Sequence, residues 1–314
     1  MLTIKDSLPD LVIPPYFRIR ESADEWRLCH QDYKADIDSI FDDRYTASRT
    51  SEGRDRYALV RIKSASGAEG EAIVRTYKRG GLSGLVLPDI FTDARRPLEE
   101  LVITEQGRAK GVALPEVLGL QIKWLMPLFY RAKIIIKIIP QAVTLDDFIR
   151  ALSKEGNSQK LYQQKTALIN SIASALKTFH NAGICHRDLN VRNILIQSKP
   201  GLPAEASAQA GDAALKTYII DLDKSICRPD SAGLSLDERV NNLIRLNRSL
   251  DKLLFKTGLP LKGAINRTDR LRLFETYFQN DGLTKAQKRI FIIRCLKEAG
   301  LHKWWWKLIY PAHK

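Results

Sequence analysis

Three observations predict an α+β fold, with an N-terminal antiparallel sheet carrying one main helix and a C-terminal half that is mostly helical. Two β-prone runs, 57–63 (YALVRIK) and 71–78 (EAIVRTYK), lie in the first half and flank the turn-rich stretch SASGAEG. Leu168, Ile172, Ala175, Leu176 and Phe179 recur at helical spacing within a run from about Leu161 to Asn181. From Leu236 onward the pattern is helical nearly throughout. At roughly 100–200 residues per domain, 314 residues suit one large two-part unit. The expected division falls between residues 1–139 and 140–314.

Taken in order, the two β-prone runs read as a hairpin. Ser51-Glu52-Gly53-Arg54 just upstream is a turn from an earlier strand. A helix is expected near Pro97–Gln106, with Pro97 in its first turn and Gly107 as its stop. Residues 133–139 (KIIIKII) form a buried-strand candidate ending at Pro140. Thr144 with Asp146 and Asp147 marks a capped helix start. The long helix should end before Gly183, where a left-handed stop is common. Two short apolar runs follow, Ile194-Leu195-Ile196 and Tyr218-Ile219-Ile220. Between them the Ala-, Ser-, Gly- and Pro-rich residues 198–216 read as an insertion.

Apolar residues make up 44% and charged residues 27%, which supports a buried core and argues against disorder. Fifty Lys and Arg against 36 Asp and Glu give a net charge of +14, which favours polyanionic partners. Cys29, Cys185, Cys227 and Cys295 show no CxxC spacing, so neither a zinc site nor a disulfide framework is expected. The apolar stretch Val117 to Ile139 is broken by Lys123, Pro127, Arg131, Lys133 and Lys137, which argues against a membrane span. The N-terminus lacks the basic start and unbroken apolar run of a signal peptide. The protein is expected in the cytoplasm.

The chemistry is concentrated in Cys185-His186-Arg187-Asp188-Leu189-Asn190-Val191-Arg192-Asn193, which matches the H-R-D-L-x-x-x-N catalytic loop of protein kinases. Phosphoryl transfer needs a carboxylate to accept or orient the proton of the attacking hydroxyl, a role that falls to Asp188. It also needs an Asn five residues later for magnesium, here Asn193, and a second carboxylate on the metal at the nucleotide phosphates. Ile219-Ile220-Asp221-Leu222-Asp223 supplies Asp221 at a strand end, in the place of the Asp in D-F-G, with Asp223 where that motif has glycine. A lone HRD could cap a helix and a lone DLD could be a turn. Their order, each beside an apolar strand and after a core-patterned helix, points to a two-lobed protein-kinase-like fold using ATP and Mg²⁺.

Such a fold also needs a strand cation for the α/β-phosphates and a helix glutamate to hold it. Arg75 and Lys78 are the strand candidates. Strand alternation places Ile73, Arg75 and Tyr77 on one face, so only one of the two cations can enter the cleft. Glu99, Glu100 and Glu105 are the helix candidates. No G-x-G-x-x-G is present, and Gly53 marks the expected phosphate-covering turn.

Val74-Arg75-Thr76-Tyr77-Lys78-Arg79-Gly80-Gly81 resembles the V-L-R-x-Y-R-R-G-G signature of the Kdo/heptose lipopolysaccharide kinase family, within it the 3-deoxy-D-manno-octulosonic acid (Kdo) kinases. His186-x-Asp188-Leu189-Asn190-x-x-Asn193, Ile220-Asp221-x-Asp223-Lys224 and the segment Asn242 to Leu250 are similar to it as well. The resemblance spans about residues 50–255. It implies transfer of the ATP γ-phosphate to a sugar hydroxyl of the lipopolysaccharide inner core, most closely Kdo on a lipid A precursor, with a heptose as the alternative acceptor. It aligns Arg75 with the strand cation and Glu100 with the helix acid.

A protein Ser/Thr kinase uses the same chemistry, but no A-P-E segment follows Asp221 to dock a peptide. A catalytically dead binding protein would be expected to lose Asp188, Asn193 or Asp221, and all three are present. The charge would suit nucleic acid, yet no nucleic-acid motif accompanies it, so no nucleic-acid partner is expected. The partners expected are a glycolipid or sugar acceptor and an anionic inner-membrane surface. Residues 285–310, with Lys285, Lys288, Arg289 and Trp304 to Trp306, fit peripheral contact with the cytoplasmic face of that membrane. The competing reading is a closing helix packed through Ile290, Phe291, Ile293 and Leu296, with the tryptophans capping the core.

Overall fold

A computed structural model describes residues 3–47, 49–50, 57–78, 89–198, 215–228, 233–257 and 265–296. The chain forms two compact units. The first comprises Met1–Ala109, Pro115–Ile139 and Leu222–Lys224, and the second Lys110–Leu114, Pro140–Asp221 and Ser225–Lys314. Sheet and helix are distributed as in a two-lobed kinase-like fold, with an antiparallel sheet plus helix first and a mostly helical region second.

The first unit is built on seven antiparallel strands: β1 (Phe17–Glu21), β2 (Glu25–His30), β3 (Arg49–Thr50), β4 (Tyr57–Lys63), β5 (Glu69–Thr76), β6 (Val117–Met126) and β7 (Phe129–Lys137). They run in the order β1-β2-β6-β7-β5-β4-β3. Helix α1 (Ile4–Ser7) precedes β1, α2 (Lys34–Phe41) follows β2, and α3 (Arg95–Ala109) precedes β6. Alternation along the strands sorts their side chains onto two faces. Val60, Ile62, Ala72 and Val74 pack with Ile37, Ile40 and Phe41 of α2. Leu120, Ile122, Ala132 and Ile134 pack with Leu98, Leu101 and Val102 of α3. Each large side chain so buried stabilises the fold by about 1.5–3 kcal/mol. Gly119 permits the approach of α2, because a Cβ there would come within 2.7 Å of Ile37.

In the second unit, β8 (Ala142–Thr144) leads into α4 (Leu145–Leu152) and then α5 (Ser158–Asn181). Thr144 caps α4 as expected, its hydroxyl accepting from the Asp147 N–H at 3.1 Å. Asn157 caps α5 by accepting from the N–H groups of Gln159 and Lys160, a device worth typically ~1 kcal/mol. The buried face of α5 includes Leu168, Ile172, Leu176 and Phe179, with Ala175 half-buried. Gly183 stops the chain at φ +82°, and a Cβ there would lie 2.8 Å from the Arg228 carbonyl oxygen. β9 (Ile184–Cys185) pairs with β12 (Ile226–Cys227), while β10 (Ile194–Ser198) lies between β8 and β11 (Leu215–Ile219). Helix α6 (Leu236–Thr257), α7 (Arg267–Tyr277) and a further helix, α8, over residues 285–296 follow. A buried pair, Lys165 Nζ to Asp269 Oδ2 at 3.0 Å, joins α5 to α7.

Several boundaries differ from the sequence reading. Gly107 does not end its helix. It is buried inside α3, which runs from Arg95 to Ala109, and the left-handed residue is Gly111 at φ +79°. The strand expected at 133–139 is β7, shifted to Phe129–Lys137, and its partner β6 fills most of the preceding apolar stretch. The ends of the 198–216 insertion are strand: Ser198 pairs with Leu215 in the β10–β11 ladder. Residues 199–214 and Trp304–Trp306 lie outside the described residues. On α8 the buried side chains are Ile292 and Cys295, while Ile290 (62%) and Ile293 (39%) are exposed. Of the other two side chains expected to pack, Phe291 stacks on Phe278 and Leu296 is half-buried, so the packing face agrees with the expected one in part.

Candidate active site

The second unit presents the H-R-D-L-x-x-x-N segment as a loop between β9 and β10. Leu189 and Val191 are buried and anchor it. His186 is fully buried and organises the loop through both ring nitrogens. Its Nδ1 accepts from the Asp188 N–H at 3.1 Å, and its Nε2–H donates to the Ile220 carbonyl at 3.1 Å. Burial holds its pKa below the ordinary value, against the pull of the Ile220 carbonyl and the Asp221 and Asp188 charges. The ring is thus a neutral strut, which suits one acceptor and one donor nitrogen.

Asp188 itself is exposed. Its main-chain carbonyl accepts from Asn193 Nδ2 at 2.9 Å and Asn190 Nδ2 at 3.0 Å. Its carboxylate has no hydrogen-bond partner among the described residues. Asn193 is buried, with its amide nitrogen committed to Asp188, so Oδ1 remains as an oxygen donor. The Asn193 carbonyl accepts from the Ile220 N–H at 3.0 Å, which ties the loop to the end of β11. One residue later Asp221 adopts φ +61°. Aspartate, like asparagine, enters this left-handed region more readily than other side chains do.

Helix α6 braces the same loop at three main-chain groups. Asn242 Oδ1 accepts from the His186 N–H at 3.0 Å, an Arg245 guanidinium nitrogen donates to the His186 carbonyl at 3.2 Å, and Ser249 Oγ accepts from the Val191 N–H at 3.1 Å. The spacings of three and seven residues put these side chains on one helix face. The sequence reading noted the Asn242 to Leu250 segment without a role, and its i, i+3, i+7 polar spacing was the available signal.

The first unit holds both candidates for the strand cation, Arg75 and Lys78. Arg75 on β5 bonds Glu100 Oε1 on α3, and the Tyr77 hydroxyl donates to Glu100 Oε2. Glu100 is buried, whereas Arg75 remains 26% exposed. Burial, and then the Glu100 carboxylate, push the Tyr77 hydroxyl well above its ordinary pKa. Of the three candidate acids, Glu99 meets Arg95, and Glu105 meets Arg108, Tyr16 and the Val117 N–H. Glu100 alone of the three bonds Arg75. Lys78 is half-buried, past the end of β5, with no partner among the described residues. Gly53 lies outside the described residues. Sequence reasoning missed Tyr77 as the second partner of Glu100.

This arrangement makes a test of register. Arg75→Ala is expected to raise the KM for ATP or lower kcat by at least about tenfold, the loss of one charge-assisted phosphate contact of roughly 1.5–3 kcal/mol. Lys78→Ala should change either by less than about threefold. Steady-state kinetics with ATP varied checks both, and the reverse ranking would shift the strand cation to Lys78.

Asn193 and Asp221 offer two oxygen donors, which suits magnesium: that ion usually takes one or two protein ligands and completes its shell with phosphate oxygens and water. No cluster of three or more His, Cys, Asp or Glu side chains fit to hold a metal occurs among the described residues.

The family model described as "Lipopolysaccharide kinase (Kdo/WaaP) family" matches residues 46–277. The chain is similar to the 3-deoxy-D-manno-octulosonic acid kinase of Vibrio cholerae serotype O1, at 26% identity over 211 residues covering 66% of this chain and 74% of that one. It is similar to those of Vibrio vulnificus (31%; 58% and 65% covered) and Pasteurella multocida (28%; 58% and 66% covered). The chain therefore spans roughly two thirds to three quarters of these relatives. Among solved structures, one titled "WaaP in complex with acyl carrier protein" superposes with a TM-score of 0.51 at 18% identity, covering 82% of this chain and 90% of that one, which bears on the fold alone.

Proposed function

The chain belongs to the lipopolysaccharide kinase (Kdo/WaaP) family of phosphotransferases, and we propose that it transfers the γ-phosphate of ATP to a hydroxyl of Kdo on a lipid A precursor. The observation that carries this reading is the Asp188–Asn193 loop: an exposed carboxylate on a main chain fixed from both sides, beside an amide oxygen left open by its own hydrogen bond. Relatives named as Kdo kinases support the choice of acceptor.

In this reading Asp188 takes or orients the proton of the attacking sugar hydroxyl. A bond forms from that oxygen to the γ-phosphorus as the bond to the ADP oxygen breaks. Arg75, held by Glu100, presents a planar fork to the α/β-phosphates. Asn193 and Asp221 would hold magnesium, which neutralises phosphate charge when bound. His186, Asn242, Arg245 and Ser249 keep the loop in place and take no part in proton transfer.

No helix among the described residues is long and apolar enough to cross a membrane. A glycolipid acceptor nevertheless places the work at a membrane surface, here its cytoplasmic face. Arg267, Lys285, Lys288 and Arg289 line a cleft with Ile292 and Ile293 in the second unit, which supports contact with anionic lipid. Binding to anionic vesicles that falls steeply with added salt is the expected result. Indifference to such vesicles at low salt would remove this part of the reading.

The acceptor is tested by mass spectrometry of the lipopolysaccharide inner core from cells with and without the gene. Loss of a phosphate from Kdo is expected. Loss from a heptose would move the acceptor, and an unchanged core would contradict the function.

A further inference from the structure

Arg192 lies in the catalytic loop of the second unit, and the mechanism above leaves it without a task. It stands four residues after Asp188 and one before Asn193, and its side chain is 78% exposed. Its main chain is fixed. The Asn190 side chain accepts from the Arg192 N–H at 2.9 Å and donates to the Asp188 carbonyl at 3.0 Å, so one amide clamps the chain on both sides of itself. Val191 and Asn193, the neighbours of Arg192, are buried, and Ser249 Oγ accepts from the Val191 N–H. Arg192 is therefore held in the same turn of loop as the exposed Asp188 carboxylate, on a main chain organised in advance of any ligand.

A second group orients the guanidinium. Asp146, buried in the first turn of α4, accepts from Arg150 Nε at 2.6 Å through Oδ1 and meets Arg192 Nε at 3.5 Å through Oδ2. Contact at Nε leaves the two terminal nitrogens of Arg192, an end-on fork of donors, with no hydrogen bond or ion pair among the described residues. Two guanidiniums share one carboxylate, so the cluster keeps one positive charge in excess. The Arg192–Asp146 contact is too long, and too exposed on the arginine side, to cancel it. That charge meets a need of the reaction. An acidic acceptor brought to Asp188 sets one carboxylate beside another, and like charges at close range repel. A neutral sugar meets no such cost.

We infer that Arg192 binds the carboxylate of the acceptor sugar through its terminal nitrogens, and so selects a sugar acid over a neutral sugar. A planar fork matches a carboxylate with two parallel hydrogen bonds, which a lysine ammonium does not. Asp146 orients the fork, and Arg150 holds Asp146. 3-Deoxy-D-manno-octulosonic acid carries such a carboxylate, and a heptose does not, so Arg192 would set the choice between the two acceptors. A phosphate on the lipid offers the same oxyanion chemistry, but the carboxylate belongs to the reacting sugar and must come to Asp188 with it. The inference rests on the reading of Kdo as the acceptor.

The test is steady-state kinetics of the full chain at saturating Mg-ATP, beside a thermal melt of each variant. Two acceptors are compared: a lipid A precursor bearing Kdo, and the same molecule with its Kdo carboxylate converted to a methyl ester. The wild type should show a KM for the ester at least about tenfold above that for the acid, the loss of a charge-assisted, two-point contact. Arg192→Gln should raise the KM for the acid by a similar factor, leave the KM for ATP unchanged and no longer distinguish acid from ester. Arg192→Lys, which keeps the charge without the fork, should fall between, and it decides alone if Arg192→Gln does not fold. Arg187→Gln, at the other exposed arginine of the loop, should keep the acid–ester difference. An acid–ester ratio that survives in folded Arg192→Gln overturns the inference, and a third acceptor lacking the lipid phosphates then shows whether the fork serves a phosphate. A wild type that phosphorylates both acceptors alike overturns the inference alone. A wild type inert toward the Kdo-bearing acceptor removes the acceptor reading and the inference with it.

Discussion

Replacing Asp188 by asparagine is expected to lower phosphoryl transfer by at least ~10²-fold, the lower range for a lost acid–base group, while the protein stays folded. The fold should survive because Asp188 is exposed and contributes through its main chain. Its N–H on His186 and its carbonyl beneath Asn190 and Asn193 are unchanged by the substitution. What disappears is the negative charge that takes or orients the hydroxyl proton. The loss should fall on kcat, with the KM for ATP nearly constant, because the contact matters only as the proton moves. Steady-state rates with a melting curve for each protein check this. A folded, fully active Asp188→Asn enzyme would remove Asp188 from the catalytic role.

Asp221→Ala is expected to take Mg-ATP turnover below detection. Asparagine should not rescue it, since it offers one neutral oxygen where a carboxylate offers two charged ones. The pair of variants separates metal binding from backbone strain. Alanine is poorly suited to φ +61°, so Asp221→Ala removes the ligand and adds strain, whereas asparagine tolerates the left-handed region. If activity followed backbone strain alone, Asp221→Asn would be active. The expected result is that both are inactive and that Asp221→Asn melts closer to the wild type. Unchanged Mg²⁺-dependent nucleotide binding in Asp221→Asn would contradict the assignment.

The parts of this molecule that could be read from the chain are those whose chemistry is local. Asp188 and Asn193 lie five residues apart and depend on each other through one turn of loop. The cap at Thr144, the stop at Gly183 and the β4–β5 hairpin each follow from a few neighbouring residues. Glu100 could be narrowed to three helix acids and no further by pattern, because choosing it over Glu99 and Glu105 requires knowing which way α3 faces β5. Other elements were hidden by their surroundings. β6 is buried from Val117 to Ile122 on both faces, between α2 and α3, so it shows no alternation and merged with the apolar stretch around it. β1 is the reverse case, an edge strand with Arg18, Ile19 and Arg20 all exposed. Gly107 misled because a glycine buried within a helix and one that ends it look alike in one dimension. Arg96 and Asp223 form an ion pair across 127 residues of sequence, and nothing near either residue announces the other.

The most direct test of the central claim is a reaction of the purified full chain with ATP, Mg²⁺ and a lipid A precursor bearing Kdo, followed by mass spectrometry of the lipid product and its fragments. The account predicts one added phosphate, located on Kdo, formed by the wild type and lost with Asp188→Asn. An acceptor returned unmodified by folded wild-type protein, or phosphorylated equally well by Asp188→Asn, would contradict it.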